Sequence, residues 1–139
     1  MKNYNIVNGG VMLIKKRHDI KCPSCGKIFE RELWNIVDKR VSPEVVKQIM
    51  DGEFNNIVCN SCNTKFHCEV PFLYQDLERK LIVTVLPETM REGGEELKKK
   101  LIDAQKISGL SEDINRQVFF GINTFVRFLD QIENESEEI

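Results

Sequence analysis

The sequence predicts an α+β fold: a small antiparallel sheet with a short helix inserted into it, followed by a C-terminal helical hairpin. Three observations carry this. Cys22-Pro23-Ser24-Cys25 and Cys59-Asn60-Ser61-Cys62 are two Cys-x-x-Cys steps, with 33 residues between Cys25 and Cys59. Short runs of alternating or β-branched residues flank both steps and recur as far as Pro87. Beyond Pro87 the apolar spacing turns helical.

Two Cys-x-x-Cys steps can close one tetrahedral four-thiolate site, most often on zinc. A metal knuckle bends the backbone so that its N–H groups face the sulfurs, and it ends in a left-handed residue. Gly26 follows the first pair, where glycine has no steric penalty. Asn63 follows the second, and asparagine is among the residues most tolerant of positive φ. Pro23 pre-sets φ in the first turn. The expected site is therefore one structural Zn2+ per chain on Cys22, Cys25, Cys59 and Cys62, in a zinc-ribbon-like sheet. Four thiolates leave such a site at formal charge −2, which Lys21, Lys27 and Lys65 stand close enough in sequence to offset. With every position filled by protein, the metal is structural and holds a subdomain too small to be stable on its own core.

Taken in order, residues 1–11 lack periodicity and are expected to form a flexible leader, with Met12 as a second candidate start. Met12–Lys21 reads as a strand entering the first knuckle, and Lys27–Val37 as a strand leaving it, with helix a competitor for Arg31–Val37. Ser42-Pro43-Glu44 opens a short helix: serine suits the N-cap, proline the first position, and glutamate the N-terminal dipole. Val45, Val46, Ile49 and Met50 line its apolar face and Gly52 ends it. Phe54–Val58 enters the second knuckle as a strand. Thr64–Tyr74 leaves it, with Phe66, Cys68, Val70 and Phe72 on one face and Lys65, His67 and Glu69 on the other. Gln75–Arg79 is a polar turn and Lys80–Leu86 a strand rich in β-branched residues, so a β-hairpin is expected there. Gly93-Gly94 reads as a hinge. Glu95–Ile107 is a helix, broken at Gly109. Ser111 caps a second one striped by Ile114, Val118, Ile122, Phe125, Leu129 and Ile132. The predicted organisation is leader 1–11, ribbon domain 12–88 and helical segment 89–139.

The apolar fraction of 41% suits a folded chain rather than a disordered one. Residues 1–86 hold 13 Lys/Arg against 10 Asp/Glu, and residues 87–139 hold 7 against 12. The first part is only mildly basic and the second acidic, so no strong footprint for a phosphate backbone is present. No apolar run approaches a membrane span and no secretory signal is evident, so a cytoplasmic location is expected. Reduced thiols there favour metal over disulfides.

Other candidates have plainer readings. The fifth cysteine, Cys68, falls in the apolar alternation and is expected in the core, with ligand exchange as its alternative. His67 is expected at the surface, and His18 stands four residues before Cys22 with no fifth ligand required. Trp34 and Tyr74 could stack on bases, although isolated aromatics are more often core or edge residues. No nucleophile–base pair or phosphate-cradling loop is present, so no enzymatic activity is expected.

The stretch from Ile20 to Pro87 resembles the CpXC domain family. The resemblance rests on Cys22-Pro23-Ser24-Cys25-Gly26, Leu33-Trp34-Asn35-Ile36-Val37, Ser42-Pro43-Glu44 and Gly52-Glu53-Phe54-Asn55. It continues through Cys59-Asn60-Ser61-Cys62 and Val70-Pro71-Phe72-Leu73-Tyr74-Gln75-Asp76 to the strand ending at Pro87. The second pair departs from the family's usual form because Asn60 stands where proline is usual. The resemblance implies the cysteine-bearing domain and no particular activity. The function expected is thus a structural-zinc module for protein interaction. Its partner is a protein, with a homodimer through the C-terminal helix as one form. A nucleic-acid or transcription-associated ribbon and a rubredoxin-like iron electron carrier are the alternatives.

Overall fold

The computed structural model describes residues 4–7, 10–107 and 113–137. The expected α+β class is found. Tyr4–Val7 (β1) and Gly10–Leu13 (β2) pair antiparallel, β1 within the stretch 1–11 read as a leader and β2 running past its end. Lys15–Lys21 (β3) and Ile28–Trp34 (β4) form the hairpin that carries the first knuckle, with Lys21 opposite Ile28. Asn56–Val58 (β6) and Lys65–His67 (β7) form the matching hairpin around the second, with Val58 opposite Lys65. Ile36–Asp38 (β5) and the short helix Pro43–Asp51 (α1) lie between the two hairpins, as expected of an insertion. Ser42 precedes α1 without a side-chain cap. Gly52 ends it in the left-handed conformation, and the following N–H groups return to the Gln48 and Ile49 carbonyls.

A four-stranded sheet forms the body of the protein. Its order is Asn115–Phe120 (β10), Leu81–Leu86 (β9), Phe72–Asp76 (β8) and β5. β8 and β9 are the expected hairpin, with Phe72 opposite Val85. The outer strands both run parallel to their neighbours. A parallel neighbour needs a crossover, and Gly94–Ile107 (α2) supplies it between β9 and β10. Ile122–Glu137 (α3) follows β10.

The helical hairpin expected at the C-terminal end is therefore corrected: α2 and α3 are helices, but Asn115–Phe120 between them is a strand. The four-residue steps from Ile114 to Val118 to Ile122 imitate a helix. Val118, Phe119 and Phe120 favour a pleated surface, and β9 offers them an edge to pair with. Gly121 makes the break, with φ of 84° and its N–H on the Leu86 carbonyl at 2.8 Å. A Cβ there would meet the Glu88 carboxylate. Gly109 and Ser111 lie outside the described residues. The long strand expected over Thr64–Tyr74 is likewise two strands, β7 and β8, with an irregular stretch containing Cys68 and Pro71 between them. The residue read as a hinge, Gly94, begins α2 and is buried; a Cβ on it would meet the Phe120 ring at 2.5 Å.

Alternation along β9 separates two cores. Leu81, Val83 and Val85 face Val45, Ile49, Phe54, Phe72, Tyr74, Phe125 and Leu129, so α1 and α3 share that face. Leu86 faces Val118 and Phe120 with Leu97, Leu101 and Ile102 of α2 on the other. Phe125 is fully buried, its ring centre 5.2 Å from Tyr74 and 5.9 Å from Phe72. Such a side chain contributes about 1.5–3 kcal/mol by burial. The stripe read in the sequence is thus partly spent inside one chain: Val118, Phe125 and Leu129 are covered, while Phe119, Val126, Phe128 and Ile132 stay half-buried.

Charges tie the far end of α3 to the sheet. Glu133 accepts from Lys39 at 2.8 Å and from Arg79 at 2.9 Å, and Arg79 also reaches Asp76 at 3.2 Å. Burial alone would raise the Glu133 carboxyl, but the hydrogen bonds and charges of Lys39 and Arg79 outweigh it and hold the group below its ordinary value. A lowered carboxyl stabilises the fold above its unfolded value, about pH 4.3, and that contribution disappears as pH falls through the folded one. The melting temperature should therefore fall on acidification through this range. In Glu133→Gln the fall should be shallower, because the titrating group is gone. Thermal melts of the two proteins from pH 6 to pH 3 would measure the difference, and parallel curves would show that Glu133 carries no such linkage.

Candidate metal centre

The two knuckles are built alike from the backbone outward. In the first, the Cys22 N–H donates to the Lys27 carbonyl and the Gly26 N–H to the Cys22 carbonyl, both at 2.9 Å. In the second, the Cys59 N–H donates to the Thr64 carbonyl and the Asn63 N–H to the Cys59 carbonyl, again at 2.9 Å. Each loop closes through a left-handed residue, Gly26 at φ 79° and Asn63 at φ 62°, as the sequence pattern requires. The turns aim N–H groups at sulfur: those of Ser24 and Cys25 lie 3.4 and 3.5 Å from Cys22 Sγ.

The four predicted cysteines converge. Their Sγ atoms all lie within 4.8 Å of one another, and the pairs Cys22–Cys62 and Cys25–Cys59 stand at 3.6 Å. A tetrahedral ion with metal–sulfur bonds of about 2.3 Å needs sulfur separations of about 3.8 Å. The cluster therefore has the size, donor type and ligand count of a four-thiolate metal site. Cys22 and Cys59 are buried, whereas Cys25 and Cys62 are exposed, so one edge of the tetrahedron faces solvent.

The thiols differ in acidity. The Thr64 hydroxyl, 3.1 Å from Cys62 Sγ, and the Thr64 backbone N–H bring Cys62 down to about 6. Backbone N–H groups of Cys62 and Ser61 lower Cys59. At Cys25 the Lys27 N–H pulls downward, but the proton shared with Cys59, together with burial, outweighs it and raises the thiol to about 11. Neighbouring thiolates oppose one another's ionisation, and a bound cation relieves that opposition.

The remaining candidates separate from the site. Cys68 is buried with Ile20 and Leu33, against Phe29, Ile57, Phe66 and Val70, and burial raises its thiol to about 11. It is not among the clustered sulfurs. His67 is exposed, its Nδ1 2.9 Å from the Phe54 carbonyl oxygen. His18 lies on β3 opposite Arg31, apart from the sulfur cluster. Tyr74 is fully buried, and Trp34 packs on the core beneath the Lys15 ammonium, which is 4.7 Å from its ring centre. Neither is a free base-stacking platform. Of the lysines read as charge compensation, Lys65 is paired with Glu53 at 2.6 Å, while the Lys21 side chain lies over Gly26, 3.9 Å from where its Cβ would stand. Sequence reasoning missed Thr64 and Arg31; Arg31 Nη2 donates to Asn60 Oδ1 at 2.5 Å. The position of Thr64, directly after the left-handed residue, was a usable signal. Arg31 had none, because β5, α1 and β6 lie between it and the knuckle it touches.

The cysteines should respond unequally to replacement. Cys59→Ser removes one of four thiolates from a buried position and should abolish metal binding and collapse both hairpins. Cys68→Ala should keep the full metal content and lower stability by about 1–2 kcal/mol, a small core truncation. Elemental analysis and urea denaturation of both variants give the comparison; metal loss in Cys68→Ala would make Cys68 a ligand.

Among the described residues no helix is long and apolar enough to cross a membrane. No curated protein and no solved structure matches the chain. The family model described as CpXC protein matches residues 20–132, a span that takes in both knuckles, the sheet and most of α3. That match extends well past the Ile20–Pro87 stretch whose motifs carried the resemblance, and the paired knuckles lie inside it with their four sulfurs together: the chain belongs to the CpXC family.

Proposed function

We propose that the chain is a structural-zinc module that works by protein interaction, its first partner being a second copy of itself. The observation that carries the zinc reading is the closed cluster of Cys22, Cys25, Cys59 and Cys62. Four protein thiolates leave no position for water or substrate, so the ion holds the two hairpins together and performs no chemistry. Each hairpin is two-stranded, and the buried residues around them are Ile20, Leu33 and Cys68, a small core for an independent unit. Metal binding supplies the missing stabilisation.

The interaction reading rests on the side of α3 and β10 that the chain leaves half-covered. Phe119 and Phe128 meet there with ring centres 5.0 Å apart and planes tilted by 44°, and Ile132, one turn further along α3, is half-buried as well. An apolar strip of this kind is self-complementary, so a two-fold axis can cover it with the same strip of another copy.

Two measurements address the two halves of the reading. Iron also accepts four thiolates. Protein purified without added metal should be colourless and contain one zinc per chain; a red protein containing iron would replace zinc with an electron carrier. Light scattering at micromolar concentration should give a dimer mass for the full chain and a monomer mass for Phe128→Asp, with unchanged zinc. A full-length monomer would remove the self-association half.

A further inference from the structure

The two knuckles have the same backbone but different residues directly after the first ligand. Pro23 occupies that place in the first knuckle and fixes φ there by its ring. Asn60 occupies it in the second and has no such restraint. The structure supplies one from outside. Arg31, on β4 of the first hairpin, donates from Nη2 to Asn60 Oδ1 at 2.5 Å. The same guanidinium donates from Nη1 to the Glu30 carbonyl at 3.0 Å, and its Cζ lies 4.9 Å from the centre of the Phe29 ring. Backbone and ring thus hold the guanidinium where it meets the second knuckle. The contact joins the two hairpins at a point other than the sulfurs, and it brings a cation to a loop whose ligands become anionic on binding metal.

We infer that Arg31 is a positioning residue for the metal centre: through Asn60 it holds the second knuckle in its closed shape and slows metal release. This rests on the zinc reading above. Asn60 stands between ligands Cys59 and Cys62, so freedom at that residue is freedom of both sulfurs. Lys65, the lysine nearest the second knuckle in sequence, is already paired with Glu53. Arg17 provides an internal comparison: it is on the same hairpin and is ion-paired with Glu30 at 3.2 Å, but is well exposed.

The test is the rate at which zinc leaves the full-length, zinc-loaded chain into excess chelator, for the wild type, Arg31→Met, Asn60→Ala, the double variant and Arg17→Met. Arg31→Met and Asn60→Ala should each release zinc faster, on the order of fivefold, the effect of one lost hydrogen bond of ordinary strength. The double variant should be no faster than either single one, because both remove the same contact. Arg17→Met should release at the wild-type rate, although it also removes a positive charge from the hairpin. Asn60→Pro in the Arg31→Met background should restore slow release by placing in the second knuckle the residue that restrains the first. Wild-type release from Arg31→Met, additive effects in the double variant, or an equal effect of Arg17→Met would overturn the proposal while leaving the zinc reading intact. A wild-type chain that takes up no zinc would overturn both.

Discussion

The strand Leu81–Leu86 is buried on both faces, and this constraint organises the body of the protein. A strand in that position cannot alternate apolar with polar residues. Its side chains are apolar except for Thr84, and each must find cover on the face to which the pleat directs it. Leu81, Val83 and Val85 require α1 and α3; Leu86 requires α2. The two covers do not come from one continuous piece of chain. α1 comes from between the knuckles, α2 from the crossover after β9, and α3 from beyond β10. The sheet therefore draws together segments from most of the described chain.

The knuckle hairpins obey a different physics. They are short and two-stranded, Ile28 and Val58 stand exposed on them, and their shared core is small. Directed bonds take the place of area. Four sulfurs are brought within 4.8 Å, backbone N–H groups are turned toward them, and hydrogen bonds from Thr64 and the turn N–H groups make the four unequal in acidity. Stability in the sheet is spread over many weak contacts and degrades gradually with substitution. At the knuckles an ion on the four sulfurs would concentrate it in four donors, so that losing one would be severe. The two hairpins also meet at Asn55, just before β6: its side chain accepts from the Trp34 N–H at 2.8 Å and donates to the Trp34 carbonyl at 3.2 Å.

How far the sequence alone reached depends on the range of the interaction concerned. The knuckles were legible because their requirements are local. Cysteine spacing, a left-handed residue after each pair and proline in the first turn all lie within six residues, and Gly26 and Asn63 adopt the predicted conformation. The inserted helix was legible for the same reason, from Ser42-Pro43-Glu44 at one end and Gly52 at the other. Lys80–Leu86 was legible as a strand from its β-branched residues, although not what would cover its two faces. Cys68 was placed in the core by an alternation that the chain does not follow as one strand. The residue is buried because the irregular stretch after β7 still turns it toward Ile20 and Leu33.

What the tertiary structure decided was the state of segments that local pattern leaves balanced. Asn115–Phe120 carries apolar residues at spacings that suit a helix, and a Val-Phe-Phe run that suits a strand. The open edge of β9 resolves the conflict, because pairing there satisfies a row of backbone groups that a helix would leave unpaired on β9. Gly121 was the visible local sign of that outcome, and Gly94 was likewise a packing position rather than a joint. Arg31 shows the same limit at the site itself: its contact with Asn60 crosses 29 residues of chain and exists only because two hairpins converge. Local chemistry determined which residues make the metal centre; the packing of distant segments determined what surrounds and restrains it.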